Sequence, residues 1–214
     1  NMSITGESFD YGPYAFIPNY DPKFTAAYFD YSGRYCYGNQ PLVCRVNLEM
    51  LQLPLMTIIS PKKLEASLRQ FDDYYREAYG QCLFKKLGFE TLTSHKRDEL
   101  VDKTIDVLKA SKIGYHEFFA DLASQFNRGW REDKTTILEN VELPPADWET
   151  WRQVYHDILI QIPEEKIEKV GENLQKNNPK IPLLRPLIES IWEAIAYDNN
   201  WQPFNELVEQ LQRK

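Results

Sequence analysis

Cysteine is scarce, and the three present, Cys36, Cys44 and Cys82, include no Cys-x-x-Cys pair. That excludes a disulfide framework and a thiolate zinc site, and it predicts free, buried thiols in a reducing compartment, the cytoplasm. Histidine is equally thin. His95, His116 and His156 have no second metal-spaced ligand near them, and His156 beside Asp157 is no catalytic couple, because adjacent residues on a helix point apart. No stretch approaches the roughly 18 apolar residues of a membrane span. The longest apolar run, Leu53 to Ile59, is short and interrupted by Pro54. Positive charge is also in deficit. With 25 Lys and Arg against 32 Asp and Glu, the net charge is −7, the wrong sign for a nucleic-acid surface. Neither a repeat nor a low-complexity tract breaks the 214 residues.

What is present divides the chain in two. Residues 1–42 hold four of the nine glycines, at 6, 12, 33 and 38, and the prolines 13, 18, 22 and 41. Turn-forming residues at that density predict loop and short extended pieces. So long an irregular stretch is uncommon unless it serves a function. Its aromatics, from Phe9 and Tyr11 through Tyr35 and Tyr37, are expected to pin it onto a helical body. A base-stacking platform would need more interleaved Lys and Arg. Asp21, before Pro22, and Asp30 read as turn carboxylates, and Arg34 as a partner for one of them.

Residues 43–214 read as helices. Apolar spacing predicts one over 42–53 and another opened by Ser60-Pro61, with Leu64, Leu68, Phe71, Tyr75 and Tyr79 as a buried stripe continuing to a stop at Gly88. Further helices are expected over 95–111 and 115–126, paired as a hairpin about Gly114, with His95 and His116 on the surface or at caps. Others follow over 147–162, from Pro163 to Asn177, and over 186–196 and 203–212. The residue pattern alone leaves a non-catalytic helical protein-binding module open.

The candidate chemistry lies at the start. Asn1 offers an amide oxygen and Asp10 a carboxylate, donors that suit a hard cation such as Mg²⁺. Asp10-Tyr11-Gly12 has the Asp-aromatic-Gly form of the kinase metal element, where the Asp and a catalytic-loop Asn hold the ions. Asn1-Met2-Ser3-Ile4, Asp10-Tyr11-Gly12-Pro13, Tyr20-Asp21-Pro22, Gly33-Arg34-Tyr35 and Asn39-Gln40-Pro41 follow in order. Val46-Asn47-Leu48, Asn178-Pro179 and Leu184-Arg185 come later. Together they resemble the selenoprotein O family of pseudokinases. Two departures stand out: Val46 replaces the family's Trp, and Pro186 replaces an Asn.

The resemblance implies the helical C-lobe of a protein-kinase-like fold with an irregular metal-binding loop. Asn1 and Asp10 would be the metal ligands, for Mg²⁺ or Mn²⁺. The family moves AMP from ATP onto protein hydroxyls, and a bacterial member is credited with uridylyl transfer. Its catalytic base is the Asp directly before the residue matching Asn1, and its nucleotide-clamping residues lie upstream. The chain is therefore expected to be the C-terminal part of such an enzyme, inactive alone and partnered by the N-terminal lobe. Met2 leaves a second reading open, in which a short gene starts there and Asn1 matches by coincidence. The selenocysteine or cysteine that ends some family members has no counterpart in Gln212-Arg213-Lys214.

Overall fold

The computed structural model describes residues 5, 7, 14–26, 28–90, 94–141 and 145–212. Among them the regular structure is helical, and the one β-pairing is an isolated bridge between Asn19 and Gly114. A 3-10 turn at Tyr37–Asn39 leads into α1 (Gln40–Leu55), which Pro41 opens with a preset φ. The helix is longer than expected at both ends. Pro54 sits inside its last turn, where it can give no N–H to Met50 O.

Ser60-Pro61 does start a helix, α2 (Pro61–Leu68), although the Ser60 side chain makes no capping bond. The single long helix expected from there is in fact two. The chain breaks at Arg69-Gln70 and resumes as α3 (Phe71–Lys86). The apolar spacing of Leu68, Phe71 and Tyr75 runs straight across the break, so periodicity alone could not reveal it. Nor is the stripe buried: Leu64, Leu68, Phe71 and Tyr79 are half-buried and Tyr75 is exposed.

The stop at Gly88 is as expected. Gly88 takes φ +94°, its N–H donates to Lys85 O, and the Phe89 N–H reaches back to Phe84 O. This is a Schellman closure, which requires a left-handed residue. Three carbonyls in a row at the end of α3, those of Lys86, Leu87 and Gly88, find side-chain donors. Asn178 Nδ2 donates to Lys86 O at 2.8 Å, Tyr155 Oη to Leu87 O at 3.1 Å, and Asn173 Nδ2 to Gly88 O at 3.1 Å. All three donors are buried, so these bonds answer groups that water cannot reach.

The rest of the body is α4 (Ser94–Ser111), α5 (Tyr115–Gln125), 3-10 turns at Arg128–Arg131 and Lys134–Thr136, and α6 (Pro145–Leu159). A 3-10 turn at Glu164–Lys166, α7 (Ile167–Asn177), α8 (Arg185–Asp198) and α9 (Gln202–Gln212) follow. The expected hairpin of α4 and α5 does not form: α4 lies along α6, and α5 packs on α7. Apolar content explains the choice, because α6 offers a stack of rings. Trp148 lies on Trp151 at 4.8 Å and Trp151 on Tyr155 at 4.9 Å, near-parallel, with Leu100 and Leu108 of α4 buried in the same core.

Arg97 of α4 donates through both terminal guanidinium nitrogens to the Glu77 carboxylate of α3, at 2.5 and 2.8 Å, and Asp98 completes the set. By contrast α8 buries only Ile191 and α9 buries none of its described side chains. No helix among the described residues is long and apolar enough to cross a membrane.

Candidate metal-binding segment

Asn1 and Asp10 lie outside the described residues, as do Tyr11 and Gly12. Continuous description begins at Tyr14. Its ring meets Phe16 edge-on at 5.5 Å, and Phe16 meets the His116 ring at 5.7 Å. Ile17 is buried. Pro18 O then accepts the Tyr115 N–H at 2.8 Å, and Asn19 Nδ2 donates to Lys112 O at 3.0 Å, beside the Asn19–Gly114 bridge. The first N–H groups of a helix have no partner within it, so the carbonyl of Pro18 supplies one to α5 while fixing the strand of chain that carries it. Tyr20 closes the seam against Tyr115 and Tyr37. Phe16, Tyr20 and Tyr37 thus pin the region to the body as expected, but Tyr14, Tyr28, Phe29, Tyr31 and Tyr35 are exposed, and Phe9 and Tyr11 lie outside the described residues.

The next stretch is held by its own carboxylates. Asp21 Oδ1 accepts the Lys23 N–H at 2.8 Å, the turn expected before Pro22. Asp30 accepts from the Tyr35 N–H at 2.7 Å, the Arg34 N–H at 3.0 Å and the Ser32 hydroxyl at 3.1 Å. These donors, Tyr35 first, hold the Asp30 carboxyl below its ordinary range. The expected ion pair of Arg34 with Asp21 or Asp30 is not made. Its guanidinium lies over the Tyr35 ring at 5.5 Å, and only its backbone N–H serves Asp30. Gly38 is required by closeness, since a Cβ there would meet Pro22 at 2.9 Å. The loop encloses an open hollow of about 610 Å³ lined by Lys23, Asp30, Tyr31, Cys36 and Asn39 among others.

Among the described residues no three of His, Cys, Asp and Glu come together as a metal site. Asp21 and Asp30 are occupied by their turns. The donor chemistry of Asn1 and Asp10, two hard oxygens, fits a hard divalent cation.

Burial perturbs two basic side chains, His116 and Lys86. His116, expected on the surface or at a cap, is half-buried in the first turn of α5, and both ring nitrogens are buried without a hydrogen-bond partner among the described residues. Burial, and then Lys86, push its pKa down. Lys86 lies over the Phe119 ring at 4.7 Å and the Tyr115 ring at 5.9 Å, and burial pushes its pKa down to about 8. The only hint was its place among Leu83, Phe84 and Leu87 at the end of α3. His95 is exposed, and His156 contacts Arg131 O at 3.1 Å. The thiols also differ from expectation: Cys36 is buried, but Cys44 is half-buried and Cys82 exposed, all three unbridged.

Comparison with known proteins gives a consistent answer. The family model described as protein adenylyltransferase SelO matches residues 1–212. The chain is similar to the protein nucleotidyltransferase YdiU of Trichodesmium erythraeum, 48% identical over 211 residues, covering 99% of this chain and 44% of that protein. It is 49% identical over 213 residues to the YdiU of Gloeobacter violaceus, covering 100% of this chain and again 44% of the relative. At 29% identity, the YdiU of Hydrogenovibrio crunogenus is matched over 99% of this chain and 42% of its own length. The chain thus spans less than half the length of these relatives.

Proposed function

The chain belongs to the SelO family of protein adenylyltransferases, and on that ground we propose that it carries the metal-holding part of a nucleotidyl-transfer site. The observation that bears the reading is the family match over residues 1–212, which takes in both Asn1 and Asp10. The whole protein would transfer AMP from ATP to hydroxyl side chains of other proteins, or UMP in the same way. The helical body would be the C-lobe of a kinase-like fold, with residues 1–42 as its metal-binding loop segment and 43–214 as its support.

In this reading Asn1 and Asp10 bind Mg²⁺ or Mn²⁺ through oxygen. The ion, when bound, offsets charge on the triphosphate and favours in-line displacement. The chain's own contribution is positional. Ile17, Pro18 and Asn19, which follow Asp10 in sequence, are fastened to the start of α5. Residues 1–214 alone bring neither the family's base nor its nucleotide clamp, and are expected to transfer nothing.

Calorimetric titration of Mn²⁺ into the chain and into Asp10→Ala tests the assignment. Binding by the first and none by the second is expected; equal binding removes Asp10 as a ligand. Incubation with α-labelled ATP and a mixed protein acceptor tests the second claim. Label transfer by residues 1–214 would show that they suffice. A non-catalytic binding module is the competing reading, favoured by Trp192, Tyr197 and Trp201, which stand exposed on and between α8 and α9. It gains if metal binding is absent altogether.

A further inference from the structure

The last two helices leave large rings in solvent. α8 and α9 pack chiefly on each other, and of their described side chains only Ile191 is buried. Trp192 is 65% exposed, Tyr197 83% and Trp201 51%, with Ile188, Phe204 and Leu211 also bare. Ile188 and Trp192 lie about one turn apart and share a face of α8, as Phe204 and Leu211 share a face of α9. Rings standing clear of the core in this way mark an interaction surface, because Trp and Tyr bury much area for little loss of side-chain freedom. The charge beside them is of one sign. From Pro186 to Gln212 the chain has five carboxylates, at Glu189, Glu193, Asp198, Glu206 and Glu209, and no Lys, Arg or His. All five are exposed. Arg185, just ahead of the stretch, reaches Glu189 at 3.3 Å, and Gln202 donates to Glu206 at 2.7 Å.

We infer that the α8–α9 face docks a basic segment of another protein, one that sets apolar side chains among the rings and Lys or Arg against the carboxylates. Charge selects this occupant. A second copy of the chain would bring the same carboxylates against themselves, and like charges across an interface are unfavourable. A cation gains twice here, from the carboxylates and from the electron-rich faces of the exposed indoles and phenol. Charge of this sign also draws a basic partner in from a distance before the apolar contacts form. The inference goes beyond the proposed function and does not rest on the metal assignment, since no residue of α8 or α9 takes part in that assignment.

Of the five tryptophans, Trp192 and Trp201 are exposed while Trp130, Trp148 and Trp151 are buried, so acrylamide quenching of indole fluorescence reads this face. The probe is a short amphipathic helical peptide of Leu and Lys, without aromatic residues, titrated into the chain; a Leu and Glu peptide of the same pattern is the control. The basic peptide is expected to shield the indoles from the quencher and the acidic one to leave them open. Trp192→Ala should weaken binding about tenfold, as loss of an anchoring ring does, with Trp201 still reporting. Glu193→Gln should weaken it about threefold, while Asp102→Asn on α4, which removes the same charge elsewhere, leaves it within error. Equal shielding by both peptides, or equal effects of Glu193→Gln and Asp102→Asn, overturns the inference. Shielding of the indoles on raising the chain's own concentration, without peptide, makes a second copy the occupant and overturns it. So does loss of peptide binding when residues 1–214 replace the matched region of the full-length Gloeobacter violaceus relative, which gives the face to the rest of the fold. Asp10→Ala should bind the peptide as the unaltered chain does, so the metal assignment and this inference fail separately.

Discussion

Trp151 donates its indole N–H to the hydroxyl of Thr104 at 2.9 Å, and both residues are fully removed from solvent. The hydroxyl in turn donates a hydrogen bond to Leu100 O at 2.7 Å, so one buried threonine joins α6 to the backbone of α4. Thr104→Val keeps the shape and strands the indole donor. An unmet buried donor costs about 1–3 kcal/mol. Urea unfolding should show a loss of that size, and Thr104→Ser should recover much of it. A change within error for Thr104→Val would mean the bond contributes nothing net.

Gly88 offers a harsher test of the same core. Its φ of +94° disfavours any side chain, and a Cβ would lie 2.8 Å from Val170 Cγ1 and 2.9 Å from Leu174 Cγ. Gly88→Ala should therefore cost more than the backbone strain of about 1–3 kcal/mol alone. The denaturation midpoint measures it, and unchanged stability would refute the crowding.

Acid should loosen the junction of α3 and α4. Hydrogen bonds from Arg97 hold the Glu77 carboxyl below its ordinary value of 4.5. A depressed acid contributes stability above the unfolded value and loses it as pH falls through the folded one. Stability should therefore drop below about pH 4.5. Glu77→Gln should flatten that part of the profile and leave neutral pH as the point of comparison.

Lys86 predicts the opposite trend in mild alkali. Its folded pKa is about 8 against an ordinary 10.5, so from pH 8 upward the unfolded chain binds more protons than the folded one. Burying the charge is unfavourable below pH 8, and that penalty fades as pH rises. Stability should climb between pH 8 and about 10, before tyrosines of the unfolded chain lose protons. Lys86→Met should abolish the climb in unfolding curves recorded across that range.

Thiol reactivity should rank by exposure, with Cys82 labelled first by a disulfide reagent and Cys36 only on unfolding. Mass mapping of early label on Cys36 would contradict the burial.

The helices of the core were legible because their signals are local. Ile167, Val170 and Leu174 are spaced for one face of α7, and all three are buried. Gly88 marked the end of α3 through a backbone conformation that few residues accept. The break at Arg69-Gln70 was not legible, because a turn that keeps the helical phase leaves apolar spacing intact. The pairing of α4 with α6 was hidden for another reason: partner choice is set by complementary surfaces, which spacing within one helix does not contain. Asn178 carried the family resemblance, and the structure gives it a mechanical task, bonding Lys86 O and Leu174 O. Asn1 and Asp10, outside the described residues, rest on their oxygen chemistry and the family match.

The bond from Tyr115 N–H to Pro18 O spans nearly a hundred residues of sequence. It makes the bend between α4 and α5 a remote ruler for the opening segment. An insertion or deletion at Lys112–Gly114 would shift the reach of everything tethered there, although no residue of that bend need ever meet a nucleotide. Variants with altered metal affinity should thus be sought at that bend as well as among the acidic side chains.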